Sequence, residues 1–146
     1  MNNDVIVSEI LPASFLTTAP LNFFTESVPA GYPSPGEGYS DGHVQLFELL
    51  VSNPQETFCV RVTGDSMQDA KIFSGDILIV NRAIEPKDGK IVIASINGEL
   101  TVKRLRIREG TAFLYPENSR YQPMELTDFM DTVIQGVVVH VIHTLD

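Results

Sequence analysis

The chain has 146 residues and a formal net charge of −9. That length is enough for one domain with a complete core, and an apolar content of 43% excludes a chain that is disordered by composition. The negative charge argues against direct, tight binding to the phosphates of DNA, which basic surfaces bind. A membrane-spanning helix is not expected either, because the sequence has no run of about 18 apolar residues.

Cysteine content and the N-terminal composition indicate the cellular compartment. Cys59 is the single cysteine, which excludes an intramolecular disulfide and a cysteine metal cluster. Residues 1–30 contain no Lys or Arg, so they lack the basic start of a secretory signal peptide. We therefore expect a cytoplasmic protein, and no metal or other cofactor.

Residues 1–30 are predicted to form an extended arm. Their short apolar clusters are interrupted by Pro12, Pro20 and Pro29, and no sustained helical period survives these prolines. The arm is too short for a helix-turn-helix domain, and its apolar residues must lie against another apolar surface. Residues 31–42 follow, with two prolines and four glycines, and are predicted to be an exposed linker with little regular structure.

Residues 43–146 are predicted to form a compact, mostly β domain of short strands. A short helix is expected over residues 44–52. Asn97-Gly98 predicts a two-residue hairpin turn, and Gly136 predicts a bulge in the last strand. The strands are expected at residues 58–63, 76–81, 90–96, 99–107, 112–115 and 132–143.

The first candidate catalytic residue is Ser66, in the motif Gly-Asp-Ser-Met that directly follows a predicted strand. A serine on a tight turn at a strand end can present its hydroxyl while neighbouring backbone N–H groups point at one spot. An acyl-transfer nucleophile and its oxyanion hole require that geometry. Gly-Asp-Ser is also common in ordinary turns, so the motif taken alone is more often structural.

The second candidate is Lys103, which is distinguished by its strand face. Alternate residues share a face, which groups Lys103 with Thr101, Leu105 and Ile107, whereas Val102 and three arginines form the face that we expect in solvent. Burial disfavours the charged form of an amine, and a neutral amine can take the proton of a serine hydroxyl. The simpler alternative is a lysine that reaches past its apolar neighbours to water.

A Ser-His-Asp arrangement is poorly supported by the three histidines, His43, His140 and His143. The last two lie an odd number of residues apart on one predicted strand, so their side chains point to opposite faces. The same geometry argues against this pair as a metal site.

Five stretches, in order along the chain, resemble the LexA/UmuD family of self-cleaving peptidases, and the resemblance covers about residues 28–143. The interval between the serine and the lysine matches the UmuD branch. The lack of a repressor's DNA-binding domain and the negative charge also favour that branch. The matching stretches are FCVRVTGDSM at 58–67, SGDILIV at 74–80, GKIVIA at 89–94, GELTVKRL at 98–105 and GVVVH at 136–140.

The resemblance implies a LexA/signal-peptidase-like β domain with an extended N-terminal arm, and it assigns roles to individual residues. Ser66 would be the nucleophile and Lys103 the general base. The backbone N–H groups of Asp65 and Ser66 would form the oxyanion hole. Ala30–Gly31 would be the scissile bond, where the UmuD branch often has Cys–Gly and LexA-type repressors have Ala–Gly.

The resemblance also implies partners and a purpose. A RecA filament on single-stranded DNA would stimulate cleavage after DNA damage, in the SOS response. The shortened form, residues 31–146, would be a homodimer that joins an error-prone, UmuC-like Y-family polymerase in translesion synthesis. Three alternatives stay open: a non-cleaving regulatory subunit, a repressor-like protein that acts by dimer exchange, and a signal peptidase, which the lack of a membrane anchor disfavours.

Overall fold

The computed structural model describes residues 4–11, 20–22, 43–127 and 131–146. The chain divides into two compact units, one formed by Met1–Ala13 with Asn53–Asp146 and the other by Ser14–Ser52. The mostly β character predicted from the sequence is confirmed. The predicted linker over residues 31–42 and the predicted scissile bond lie outside the described residues.

The described residues form mainly short strands, and 3₁₀ turns lie at Pro54–Glu56 and Gln68–Ala70. The elements in chain order are β1 Ile6–Leu11, β2 Pro20–Asn22, β3 His43–Gln45, α1 Leu46–Leu50, β4 Thr57–Thr63, β5 Ile77–Asn81, β6 Ile91–Ile96, β7 Glu99–Arg108, β8 Thr111–Tyr115, β9 Met124–Glu125 and β10 Thr132–Ile142.

The smaller unit holds the antiparallel pair β2–β3 and the helix α1. The last turn of α1 is continued by a hydrogen bond of 2.8 Å from the Val51 N–H to the Phe47 carbonyl. The helix predicted over residues 44–52 is thus present but shorter, because its first residues belong to β3. Within the described ranges, no helix has both the length and the apolar character needed to cross a membrane.

The larger unit contains an antiparallel sheet in the order β1-β4-β5-β10-β6-β7-β8-β9. Each of the six strands predicted from the sequence is present to within a few residues. The Asn97-Gly98 turn forms with positive φ at both residues, as a two-residue hairpin requires. The register of β10 with β6 shifts between Ile134 and Gly136. A Cβ atom on Gly136 would lie only 2.7 Å from the buried Val80 side chain, so glycine is the residue that fits there.

The strand β1 closes this sheet on itself. It pairs with β4 at five positions, and Ile6 also lies opposite Thr101 of β7. Just before the strand, the Val5 carbonyl accepts a hydrogen bond of 3.2 Å from the Val102 N–H. The sequence predicts an arm that lies against an apolar surface, but nothing in it predicts that residues 6–11 become a strand of the main sheet.

Among the residues that the structure describes, two clusters of buried apolar side chains stabilise the larger unit. Val5 belongs to the first cluster, so the N-terminal segment contributes to the core as well as to the sheet. The other buried members of this cluster are Val60, Val62, Met67, Ile72, Leu78, Val80, Ile93 and Val102. The second cluster consists of Val92, Ala94, Leu105, Leu114 and Val137.

Truncation of Val5 tests whether the N-terminal segment stabilises the fold. Val5→Ala should lower the free energy of unfolding by about 2 kcal/mol, because it removes two fully buried methyl groups from a packed cluster. The matched control is Ile10→Ala on β1 itself, where the side chain is 60% exposed and the change should cost about 0.5 kcal/mol or less. Urea unfolding of both variants measures the difference, and equal effects would show that the segment does not contribute to the core.

Candidate active site

Ser66 lies on the turn that follows β4. Gly64 has a φ of 105°, a value that side-chain-bearing residues rarely adopt, and this lets the chain turn directly after the strand. The Ser66 hydroxyl is completely buried. It accepts a hydrogen bond of 2.7 Å from the Val5 N–H and donates one of 2.6 Å to Asp4 Oδ1. The N-terminal segment therefore covers the candidate nucleophile.

Lys103 lies in the middle of β7, and only 4% of its surface is exposed. Its Nζ forms an ion pair with Asp4 Oδ1, the oxygen that also accepts the hydrogen bond from Ser66. The structure thus brings the two predicted catalytic side chains to within one hydrogen-bond length of the same atom. We call the contact of the Asp4 carboxylate with both side chains the Asp4 bridge.

The strand β7 is covered on both faces near Lys103, which differs from the alternation expected from the sequence. Val102 is fully buried rather than solvated, because it packs in the first apolar cluster. Arg104 is half-buried, forms an ion pair with Glu117 and donates a hydrogen bond of 2.6 Å to the Gly89 carbonyl. Of the side chains expected on the solvent face of β7, only Arg108, at the end of the strand, is exposed.

The 117–121 loop holds the residue that precedes the candidate nucleophile. The Tyr121 hydroxyl and an Arg120 guanidinium nitrogen each donate a hydrogen bond of 2.6 Å to the Asp65 carboxylate, one to each oxygen. The buried Asn118 side chain donates a bond of 2.8 Å to the Asp65 carbonyl. Both the side chain and the backbone of Asp65 are therefore fixed, which restricts the direction of the adjacent N–H groups.

The same loop also connects the nucleophile turn to β7. The Asp69 N–H donates a hydrogen bond of 2.8 Å to the Glu117 carbonyl, and the Glu117 N–H lies 3.4 Å from the Met67 sulfur. The Glu117 carboxylate in turn pairs with Arg104, the neighbour of Lys103. Sequence reasoning missed this loop, because its residues resemble an ordinary polar turn and their contacts lie about fifty positions away along the chain.

The pKa values of two side chains are raised, that of Tyr121 at the turn and that of Cys59 in β4. The hydrogen bond to the Asp65 carboxylate raises the pKa of the Tyr121 hydroxyl, with smaller contributions from desolvation and from the charges of Asp65 and Asp4. Burial raises the pKa of the Cys59 thiol, and this side chain is almost inaccessible. Cys59 is therefore a poor alternative nucleophile, since the thiolate is its reactive form.

A small open cavity of about 280 Å³ adjoins the nucleophile turn. It is lined by Gly64, Asp65, Phe73 and Ser74, and the Phe73 side chain is 40% exposed. The Phe73 backbone is held by a hydrogen bond of 2.8 Å from its N–H to the Asp76 carboxylate. The cavity is of a size to receive one side chain of a segment that passes Ser66.

Among the described residues, His140 and His143 make no hydrogen bond with Ser66 or Lys103, although the His143 ring lies beside Phe73 with 5.5 Å between the ring centroids. His143 Nδ1 lies 2.6 Å from Asp76 Oδ1, and His140 is exposed. Among the described residues, no group of three or more His, Cys, Asp or Glu side chains is placed to hold a metal ion.

The described residues form a mostly β domain in which Ser66 and Lys103 are buried and both contact Asp4. Comparison with known proteins gives the family of this chain. A family model described as peptidase S24-like matches residues 22–139. The chain is 43% identical to Protein SamA of Salmonella typhimurium strain LT2 over 130 residues, which cover 87% of this chain and 86% of that protein. The corresponding values are 40% over 131 residues for Protein ImpA of Escherichia coli, covering 82% and 81%, and 39% over 119 residues for Protein MucA of Escherichia coli, covering 81% of each.

The chain belongs to the peptidase S24-like family, as a UmuD-type member of the LexA/UmuD group. The resemblance identified from the five sequence stretches is thereby confirmed.

The contact between Tyr121 and Asp65 can be tested by titration of the hydroxyl. Its pKa should lie above the ordinary tyrosine value, and Asp65→Asn should return it toward that value because the anionic acceptor is lost. The contact contributes stability that is fully present below the unfolded-state pKa and is lost as pH rises through the folded-state pKa. Carbon NMR of labelled tyrosine measures both proteins, and identical curves would contradict the assigned contact.

Proposed function

We propose that this protein is a self-cleaving switch in which Ser66 and Lys103 cut the Ala30–Gly31 bond of the chain. The observation that carries the proposal is the convergence of the Ser66 hydroxyl and the Lys103 amine on one oxygen atom, in a buried position that the family relation associates with a serine peptidase. The position of Lys103 in the middle of β7, where its amine reaches the same oxygen atom as the Ser66 hydroxyl, supports a role as base.

The reaction starts when the neutral Lys103 amine takes the proton of the Ser66 hydroxyl. The Ser66 oxygen forms a bond to the Ala30 carbonyl carbon, and backbone N–H groups of Asp65 and Ser66 stabilise the resulting oxyanion. The C–N bond to Gly31 then breaks, and the Lys103 ammonium donates its proton to the departing amine. Lys103 then takes a proton from water, and the water oxygen bonds to the Ala30 carbonyl carbon. The ester bond to Ser66 breaks, and the Lys103 ammonium returns the proton to the Ser66 oxygen.

The chemistry of the two residues at the proposed bond suits this site. The methyl side chain of Ala30 needs only a small subsite, and Gly31 permits the tight bend that presents a carbonyl to a nucleophile. The flanking prolines disfavour regular structure, so the segment can enter a cleft. In this scheme residues 1–30 are the removed arm, residues 31–42 the linker, and residues 43–146 the catalytic and dimerisation domain.

The biological setting that we propose is SOS mutagenesis. The family relation supports it, as does the similarity to SamA, ImpA and MucA. A RecA filament on single-stranded DNA would trigger cleavage in the cytoplasm. The shortened homodimer would then act as the subunit of an error-prone Y-family polymerase. The net charge of −9 favours action through these protein partners rather than through direct contact with DNA.

Removal of either reactive group tests the proposed dyad. Ser66→Ala and Lys103→Ala should each abolish self-cleavage in the presence of RecA, single-stranded DNA and nucleotide, while the fold persists. Mass spectrometry of the products should show fragments 1–30 and 31–146 for the unmodified protein and for Lys90→Ala, which alters an exposed lysine outside the site. Cleavage of Ser66→Ala at the normal rate would contradict the dyad, and a protein that keeps all 146 residues would favour the non-cleaving regulatory subunit.

The pH dependence of cleavage tests the lysine as base. The rate should increase from neutral to alkaline pH, by about tenfold per pH unit while the base is still mostly protonated, because only the neutral amine accepts a proton. Quantification of the two fragments over time measures this rate, with circular dichroism to verify that the fold is intact at each pH. A flat profile would exclude a lysine base.

A further inference from the structure

The Asp4 bridge occupies both reactive groups of the proposed dyad at once. Asp4 Oδ1 accepts the proton of the Ser66 hydroxyl at 2.6 Å and forms an ion pair with the Lys103 amine. A hydroxyl that donates to a carboxylate is not oriented to donate to the amine. A lysine paired with a carboxylate is in its ammonium form, which has no lone pair and cannot act as a base. In this arrangement neither catalytic role can be performed.

The backbone of the same segment occupies the positions that a substrate would need. The Val5 N–H is bonded to the Ser66 oxygen, and the Val5 carbonyl accepts from the Val102 N–H of β7. Beyond it, β1 is paired with β4 along its length. A second extended segment cannot use these edges while β1 is present, so binding of residues 4–11 and binding of the cleavage segment exclude each other.

The charged groups around the Asp4 bridge favour a carboxylate at the position of Asp4. Asp4 faces the Lys103 cation on β7, whereas the other acidic group near Ser66, Asp65, is paired with Arg120 and hydrogen-bonded to Tyr121. Lys103 thus remains as the cation for an incoming anion. Lys103 is nearly buried, and a buried cation is stable only with an anionic partner. The cleft therefore suits a segment that places an acidic side chain opposite Ser66 and Lys103.

We propose that the cleft containing Ser66 and Lys103 is a binding site for a carboxylate-bearing extended segment, that residues 4–11 of this chain are its resident occupant, and that Asp4 thereby inhibits self-cleavage. The meaning of the inhibition rests on the proposed function, whereas the binding site rests on the contacts alone. Before the dyad can act, the Asp4 bridge must break and β1 must leave β4 and β7.

Features of β1 permit such a departure without unfolding of the domain. Ile10 is 60% exposed, and the ion pair between Glu9 and Arg61, at 3.3 Å, is open to solvent and so contributes little. The register with β4 shifts between Val7 and Glu9, which interrupts the ladder. A strand with these contacts belongs to the class of elements that open locally at a small fraction of the global stability.

The test compares the full-length protein with Asp4→Asn, which keeps the size of the side chain but removes its charge. Glu9→Gln is the matched control, since it makes the same change on the same segment away from Ser66 and Lys103. Asp4→Glu, which keeps the charge, is the second variant.

Self-cleavage is followed at fixed, mildly alkaline pH by the mass of the fragments. We expect Asp4→Asn to cleave several-fold faster, because the neutral amide no longer forms the ion pair with the Lys103 amine. Glu9→Gln should remain at the original rate, and Asp4→Glu should not approach the rate of Asp4→Asn.

Two outcomes would overturn the inhibition. Equal rates for Asp4→Asn and the unmodified protein would show that the Asp4 bridge does not limit the reaction. A slower Asp4→Asn would show that Asp4 assists the dyad as a positioning residue instead.

A second measurement does not depend on cleavage and separates this proposal from the proposed function. In a Ser66→Ala background, the labelling of Lys103 by an amine-reactive reagent is measured by mass spectrometry relative to the exposed Lys90. Asp4→Asn should increase the labelling of Lys103 several-fold, and Glu9→Gln should not. Increased labelling of Lys103 in Asp4→Asn, combined with an unmodified protein that keeps all 146 residues in the cleavage assay, would retain the binding site and reject the self-cleavage. Unchanged labelling would reject the binding site.

Discussion

One carboxylate oxygen, Asp4 Oδ1, connects the N-terminal segment to both reactive side chains, and the local structure is organised around that contact. Val5 anchors the segment by placing its side chain in the core and its backbone between Ser66 and Val102. From there β1 continues along β4 and closes the sheet. The burial of the dyad, the continuity of the sheet and the inhibition that we propose are therefore three results of one docked strand.

The elements that local sequence signals specify were predictable. Asn97-Gly98 requires two positive φ values that few other pairs tolerate, and the alternating β-branched residues around it fix the two strands of the hairpin. The strand β1 was not predictable in the same way. Its pairing partners lie 48 to 57 residues away in β4 and 95 residues away at Thr101. The prolines that follow Leu11 suggested an irregular segment.

The sequence predicted the two reactive side chains of the candidate site, but it did not predict the residues that hold the turn around Ser66 in place. A glycine–aspartate–serine turn after a strand and a lysine among apolar alternates are visible in the sequence, so Ser66 and Lys103 could be named. Alternation failed at Val102, because its side chain packs in the first apolar cluster, to which Val5 also belongs. Asn118 and Tyr121 carried no signal, since ordinary polar turns have the same composition and only the folded chain brings them to Asp65.

The covalent position of β1 has a consequence for the direction of the switch. A segment linked to its binding site meets it at an effective concentration that is commonly on the order of millimolar. The proposed cut at Ala30–Gly31 lies on the C-terminal side of β1, so it turns this strand into a separate peptide whose rebinding depends on its dilution in solution. The proposed cleavage requires that β1 has left the cleft, and it would also prevent β1 from returning. The chain would therefore pass from the inhibited to the open form only once.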